Sequence, residues 1–180
     1  MNHLILNQGI LRSPGQPRGV LDLHGRFNVE HWRNGKFFKN YDFDNDITNE
    51  GKNLIFDVMF NSATQILNGS WYIGLISNSG YSALAAADTM ASHSGWTEFT
   101  SYSQANRVGW GSIASASQTV TNTTPATFDI TGSGTVKGIF VTSNNTKGGT
   151  TGKLWSTALF SADVAVVNAD QIKVTYTVNA

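Results

Sequence analysis

WYIGLIS, residues 71–77, is the stretch that best predicts how this chain folds. Trp71, Ile73 and Leu75 occupy every second position, which is the side-chain period of a β-strand. The segment that this strand opens runs to Trp110, and it holds three of the five tryptophans together with several Gly and Ser turn signals. We therefore expect a strand, a long ordered loop and further short strands across residues 71–110.

The composition is that of a globular protein with few charges. Its 180 residues, 40% of them hydrophobic, suffice for one domain with a substantial core. Only 13% of the residues are charged, against a usual share of roughly 25%, so Ser, Thr, Asn and Gly must form much of the surface. Twelve basic residues balance twelve acidic ones, which argues against nucleic acid or an anionic membrane as a partner. A weakly charged surface suits a protein that works within an assembly.

Three absences narrow the class of protein further. The sequence has no cysteine, which excludes disulfides, thiolate metal sites and cysteine nucleophiles. No apolar run approaches the roughly 20 residues that a membrane-spanning helix needs. The N-terminus lacks the basic head, apolar core and cleavage site of a signal peptide. We expect a protein that is made in the cytosol without export.

Residues 1–19 are predicted to form an N-terminal arm, and residues 20–180 a single domain. Pro14, Pro17 and the nearby glycines do not continue a helix or a central strand. Two interpretations stay open: a disordered terminus, or an extended arm that becomes ordered on a neighbouring subunit. The arm residues that would make such contacts are Leu4, Ile5, Leu6, Ile10, Leu11, Arg12 and Arg18.

The first predicted β-structure is a hairpin centred on Asn34-Gly35. This dipeptide is typical of a type I′ turn, in which both central residues need positive φ. It separates residues 20–33 from residues 36–47, and we expect the two stretches to pair as antiparallel strands. Three aromatic residues of the second stretch share one parity and one expected face: Phe37, Tyr41 and Phe43.

One short helix is predicted between residues 49 and 60. Thr48 supplies a hydroxyl cap, and Glu50 places a carboxylate beside the positive end of the helix dipole. Apolar residues then recur four positions apart in the pairs Leu54/Val58, Ile55/Met59 and Phe56/Phe60. We expect a mostly buried helix that ends near Asn61.

Further strand patterns follow residue 77. They comprise residues 118–122, 126–131, 134–143, 153–160 and 172–178. The third of these is apolar at both parities, so we expect it to be covered on both faces. Eight or more short strands separated by turns predict an all-β fold, an antiparallel β-sandwich of the jelly-roll-like or immunoglobulin-like kind.

Two stretches fall short of known ligand-binding motifs. The EF-hand-like series Asp42-x-Asp44-x-Asp46 lacks the required Gly and Glu further on, which leaves a looser cation site with Glu50 as an alternative to a solvated strand end. Residues 148–153 (GGTTGK) are one residue short of a phosphate-binding loop and precede a strand pattern, so a turn is expected. The four histidines show no metal-binding spacing.

Residues 88–98 contain the residue types of a hydrolase but not its pattern. These are Asp88, His93, Ser94 and Glu98, and the G-x-S-x-G pattern around the serine is absent. We predict no catalytic, cofactor-binding or metal-binding residue. The structural interpretation assigns Trp71, Trp96 and Trp110 to a core or subunit seam, with Arg107 pairing a carboxylate or stacking on Trp. An aromatic sugar-binding platform is an alternative use of the aromatic side chains.

Several of these stretches together resemble a family of small tailed-bacteriophage virion proteins. The resemblance rests on WYIGL at residues 71–75, DTMASHSGWTE at residues 88–98, and Tyr102, Arg107 and Trp110. It continues through the helix region from Asn49 and the strands near residues 136–142, 154–156 and 174–176, and so covers roughly residues 40–180. The arm at residues 1–19 lies outside it.

The resemblance implies a non-enzymatic β-sandwich protein located in the virion. Members of the family look like capsid decoration (cement) proteins or fibre components. The expected role is therefore to stabilise the phage head, as a homotrimer on the capsid surface that binds the major capsid protein at junctions between its subunits. The alternative is a tail-fibre or host-receptor module that binds a glycan.

Overall fold

The computed structural model describes residues 22–180, and the predicted arm at residues 1–19 lies outside the described part. The first elements are β1 (His24–Arg33), β2 (Lys36–Ile47), α1 (Asn49–Phe60), a 3-10 turn (Asn68–Ser70), β3 (Tyr72–Ser77), β4 (Glu98–Phe99) and β5 (Val108–Gly109). The remaining strands are β6 (Thr119–Thr121), β7 (Ala126–Asp129), β8 (Gly134–Thr142), β9 (Leu154–Val166) and β10 (Gln171–Asn179). The prediction of an all-β antiparallel fold with one short helix is confirmed.

The strands form one antiparallel sheet that curls into a sandwich. Its order is β4-β3-β8-β9-β2-β1-β10-β6, while β5 also pairs with β3 and β7 with β10. The sheet turns the corner at the end of the long strand β2. There Asp46 and Ile47 pair with Thr157 and Ser156 of β9, after the preceding residues of β2 have paired with β1.

The main core fills the space between the two halves of the sheet. Its residues without any exposed surface include Phe27, Val29, Ile73, Leu75, Ile139, Val141, Ile172, Val174 and Tyr176. The rings of Phe27 and Tyr176 stack with 4.3 Å between their centroids. Burial of each such side chain stabilises the fold by about 1.5–3 kcal/mol before the cost of ordering the chain.

A second, smaller apolar cluster lies on the outer face of β3 and β8, beneath the loop that joins β3 to β4. It consists of Ile76, Met90, Trp96, Phe140 and Leu154. Gly74 leaves room for it, since a Cβ at that position would overlap the ring of Phe140. The expectation that the strand at residues 134–143 is covered on both faces is confirmed.

The hairpin predicted at Asn34-Gly35 is confirmed, with φ angles of +52° and +71° at the two turn residues. The ladder between β1 and β2 shifts register near the turn and leaves Phe38 unpaired as a β-bulge. The prediction that Phe37 shares a face with Tyr41 and Phe43 is therefore wrong. Tyr41 is buried, whereas Phe37 is 54% exposed, because the bulge turns the residues before it to the other face.

Candidate functional site

The first turn of α1 is fixed to the start of β9. The Thr48 hydroxyl accepts a hydrogen bond from the Gly51 N–H at 3.0 Å and donates to the Leu154 carbonyl. The Glu50 carboxylate accepts from the Leu154 N–H at 2.8 Å. A Cβ at position 51 would lie 2.5 Å from the Trp155 carbonyl oxygen. Glycine at this position therefore lets the backbone of α1 pack closely against the backbone of β9. The predicted cap and the acidic residue after it therefore anchor the helix to the sandwich.

The rest of α1 is exposed or half-buried, which corrects the prediction of a mostly buried helix. Gly51 is its one buried residue, and Phe56, Met59 and Phe60 are 58%, 67% and 75% exposed. These three lie on one helix face, and the rings of Phe56 and Phe60 stack at 6.5 Å. We call Phe56, Met59 and Phe60 the helix patch. Exposed apolar side chains that cluster on one helix face gain free energy when a partner covers them.

An apolar cleft of about 220 Å³ opens at one end of the sandwich. Its lining consists of Trp71, Trp110, Val120, Val141, Trp155 and Val178. We call it the tryptophan cleft. The rings of Trp71 and Trp155 meet edge to face with 6.1 Å between their centroids. The cleft exceeds the roughly 150 Å³ in which an apolar protein cavity binds benzene.

Tyr176 holds two walls of the tryptophan cleft in place. Its carbonyl accepts a hydrogen bond from the Trp110 indole N–H at 2.9 Å, and its hydroxyl accepts one from the Trp155 indole N–H at 2.8 Å. Burial raises the pKa of Tyr176 to about 12, so the hydroxyl keeps its proton at neutral pH. Because the described residues that line the cleft are all Trp or Val, this lining favours an apolar occupant over a sugar, whose hydroxyl groups need polar partners.

Arg107 and Glu98 form a buried ion pair beside the loop between β8 and β9. Arg107 Nη2 and Nε donate to the Glu98 carboxylate at 2.8 and 3.1 Å, and the two side chains are 1% and 5% exposed. The guanidinium also donates to the backbone oxygens of Asn144 and Gly149 at 3.0 and 2.6 Å. The predicted carboxylate partner of Arg107 is thus present, while the ring beneath the guanidinium is that of Phe140 rather than a tryptophan.

Three of the hydrolase-type residues at positions 88–98, Asp88, His93 and Glu98, make separate structural contacts. Asp88 accepts from the Trp96 indole N–H at 3.0 Å. His93 Nδ1 donates to a backbone carbonyl at 3.0 Å, and its ring stacks on Trp96 at 4.1 Å. Within residues 22–180, no hydrogen bond joins any two of Asp88, His93, Ser94 and Glu98. The relay of nucleophile, base and orienting group that covalent catalysis needs is therefore not assembled from them.

The two incomplete ligand motifs also have structural partners. Asp42 and Asp44 pair with Arg26 at 2.6 and 3.0 Å. No group of three or more His, Asp or Glu side chains in the described part of the chain is placed to hold a metal ion. The glycine-rich residues 148–152 form the turn between β8 and β9, as predicted. None of the helices in this part is long and apolar enough to cross a membrane.

A buried charged cluster that sequence reasoning missed joins β1 to the turn before β10. His31 Nε2 donates to the Asp170 carboxylate at 2.8 Å, and both side chains are 1% exposed. Arg33 Nη2 and Nε donate to the same carboxylate at 2.8 and 3.0 Å. Burial favours the neutral acid, but the hydrogen bonds from Arg33 and His31 outweigh it and lower the pKa of Asp170 to about 2. His31 and Asp170 lie 139 positions apart in the sequence, so no local sequence pattern predicts their contact.

Comparison with known proteins adds no relative: no protein-family model matches the chain, and no curated protein matches it. The candidate surfaces are therefore defined by geometry. Trp96 and Trp110 are buried and Trp71 is half-buried. The predicted contact residues at positions 4–6, 10–12 and 18 lie outside the described residues.

Proposed function

We propose that this chain is a structural virion protein of a tailed bacteriophage, a decoration protein that stabilises the head at junctions between major capsid subunits. The observation that carries the proposal is the helix patch, three large apolar side chains on a helix anchored at its first turn. Covering such a surface with another protein removes apolar area from water, which favours association. The resemblance to tailed-bacteriophage virion proteins suggests which protein covers it, namely the major capsid protein.

The stabilising effect would come from repetition rather than from one tight contact. A patch of three side chains is small beside the roughly 800 Å² that each partner buries in a standard interface. A homotrimer presents three such patches at once, and icosahedral symmetry repeats the trimer over the shell, so modest contacts add through multivalency. The N-terminal residues 1–19 would supply a further contact with the capsid or a neighbouring subunit.

The number of copies per virion tests the proposed function. Stained gels of purified particles, with the major capsid protein as the internal standard, give this ratio. Hundreds of copies support a decoration protein. A few copies to a few dozen favour the alternative, a tail-fibre or receptor-binding module. If the chain is missing from particles that are otherwise complete, both proposals fail.

Charges introduced into the helix patch are expected to weaken capsid binding strongly without unfolding the protein. In the double variant Met59→Asp/Phe60→Asp both positions are exposed, so the melting temperature should fall by only a few degrees, the cost of two carboxylates at the negative end of the helix dipole. Each lost apolar contact is worth about 1.5–3 kcal/mol, so occupancy on capsids that lack the protein should fall at least about tenfold.

The exposed residue Asn53 on the same helix provides the matched control. Asn53→Asp adds a charge outside the helix patch and should bind capsids like the wild type. Full occupancy by the double variant would remove the helix patch from the interface and leave the proposed function without its main support.

Deletion of residues 1–19 is expected to reduce capsid occupancy while the sandwich stays folded. The described elements begin at His24, so the deletion leaves all of them in place, and the circular dichroism and melting temperature should match those of the full chain. Binding to capsids that lack the protein gives the result. Undiminished occupancy would refute a role of the arm in binding.

A further inference from the structure

The chain contains two Asn-Gly pairs, Asn34-Gly35 and Asn68-Gly69, and the fold restrains them differently. An Asn side chain that precedes glycine is prone to ring closure, because glycine has no Cβ to hinder attack by its own backbone nitrogen. Ring closure brings that nitrogen to the amide carbon of the Asn side chain, so the backbone of the pair must be free to rotate. Both pairs carry the same reacting groups, so a difference in their reactivity reports the structure around them.

Asn34-Gly35 is held in the turn of the β1–β2 hairpin. Both residues have positive φ, +52° and +71°, and Arg33 and Lys36 pair directly beside them. The Arg33 guanidinium is fixed further by hydrogen bonds to Asp170 at 2.8 and 3.0 Å. Rotation of the Asn34 backbone towards ring closure would open this end of the hairpin. The turn therefore protects Asn34.

Asn68-Gly69 lies in the 3-10 turn before β3, where the restraints are few. One backbone hydrogen bond closes the turn, from the Ser70 N–H to the Leu67 carbonyl at 2.9 Å. The Gly69 N–H has no acceptor among the described residues. The Asn68 side-chain amide makes one long contact, in which Nδ2 lies 3.5 Å from the Ser112 carbonyl oxygen. Both residues of the pair are exposed, so neither the attacking nitrogen nor the amide is held apart.

We infer that Asn68 is a site of spontaneous deamidation in the folded protein. The Gly69 backbone nitrogen attacks Cγ of Asn68 and gives up its proton, the bond from Cγ to Nδ2 breaks, and Nδ2 leaves as ammonia with that proton. Water then opens the cyclic imide at either of its two carbonyl carbons and yields aspartate or isoaspartate. The reaction needs no co-reactant except water. This inference does not rest on the proposed virion function.

Conversion of Asn68 removes the donor of its contact with Ser112. A carboxylate cannot donate a hydrogen bond, so the product faces the Ser112 carbonyl oxygen with like charge. Isoaspartate also lengthens the backbone shortly before Trp71, which lines the tryptophan cleft. The modification therefore changes the chain beside the cleft and gives a protein of zero formal net charge one additional negative charge.

Peptide mapping by mass spectrometry tests the inference on full-length protein that is aged in mildly alkaline buffer. Replacement of the amide by a carboxyl group raises the peptide mass, and an isoaspartate-specific methyltransferase labels the isoaspartate product. We expect Asn68 to convert at least about tenfold faster than Asn34, a ratio for which an opening free energy of about 1.4 kcal/mol at the hairpin suffices. In concentrated urea, which removes the hairpin, the two sites should convert at similar rates.

Gly69→Ala provides the matched variant for the mechanism. Nothing lies within 4 Å of a Cβ at this position, so the variant keeps the fold. The added methyl group should suppress conversion of Asn68 and leave the rate at Asn34 unchanged. Equal rates at the two sites of the folded protein, or an Asn68 that stays intact while the urea-unfolded chain converts, would overturn the inference. Unchanged conversion in Gly69→Ala would show direct attack of water on the amide and would overturn the ring closure.

Discussion

Replacement of Arg107 by Met is expected to lower the free energy of unfolding by about 3–5 kcal/mol, because it leaves a buried carboxylate without its partner. The Glu98 side chain is 5% exposed and would keep the Gly148 N–H at 2.7 Å and the Tyr102 hydroxyl at 3.2 Å as donors but lose the bidentate guanidinium. The carbonyls of Asn144 and Gly149 lose their donor as well. For a domain of this size the loss corresponds to about 6–20 °C in melting temperature.

Two further variants separate the charge effect from the packing effect at this site. Glu98→Gln/Arg107→Met removes both charges and should be less destabilised than Arg107→Met alone, because no unpaired carboxylate remains in the interior. Arg107→Lys keeps the charge but loses the bidentate geometry, and its stability should fall between the wild type and Arg107→Met. Urea unfolding at pH 7 measures all three. A loss below about 1 kcal/mol for Arg107→Met would mean that water reaches the Glu98 carboxylate and that the pair does not hold the loop.

The local parts of this fold were predictable because short stretches determine them. Asn34-Gly35 determines a type I′ turn through the positive φ that both residues tolerate. Thr48 determines where α1 begins, because its hydroxyl satisfies a backbone N–H of the first turn. Alternation predicted the central strands, since each buries one set of side chains between the halves of the sheet.

The surfaces that matter for function depend on contacts between distant parts of the chain. Apolar residues four positions apart give the same sequence pattern whether the helix packs on its own sandwich or leaves that face exposed to a partner. The exposure of Phe60 was therefore not predictable. The single bulged residue Phe38 reverses the face of Phe37 without a local signal. The tryptophan cleft forms only when the curled sheet brings Trp155 and Val178 to the same end of the sandwich.

Replacement of Asp170 by Asn is expected to cost about 2–3 kcal/mol at pH 7, with a pH dependence of defined sign. The pKa of Asp170 falls from 3.8 to about 2 in the folded protein, which is worth about 2 kcal/mol. The folded pKa lies below the unfolded value, so the ionised carboxylate stabilises the folded state. This contribution is fully present above about pH 4 and is lost as the pH falls towards about 2.

The stability difference between the wild type and Asp170→Asn should therefore shrink as the pH falls from about 4 to about 2. Urea unfolding of both proteins at a series of pH values measures it, and the subtraction removes the contributions of the other carboxylates. Asp163→Asn is the matched control, since Asp163 is 42% exposed and pairs with Lys137 at the surface, where a salt bridge is worth about 0–1 kcal/mol. A difference for Asp170→Asn that stays constant across this pH range would show that lost hydrogen bonds, and not the charge held by Arg33 and His31, account for the effect. A difference no larger than that of the control would show that the cluster does not stabilise the turn between β9 and β10.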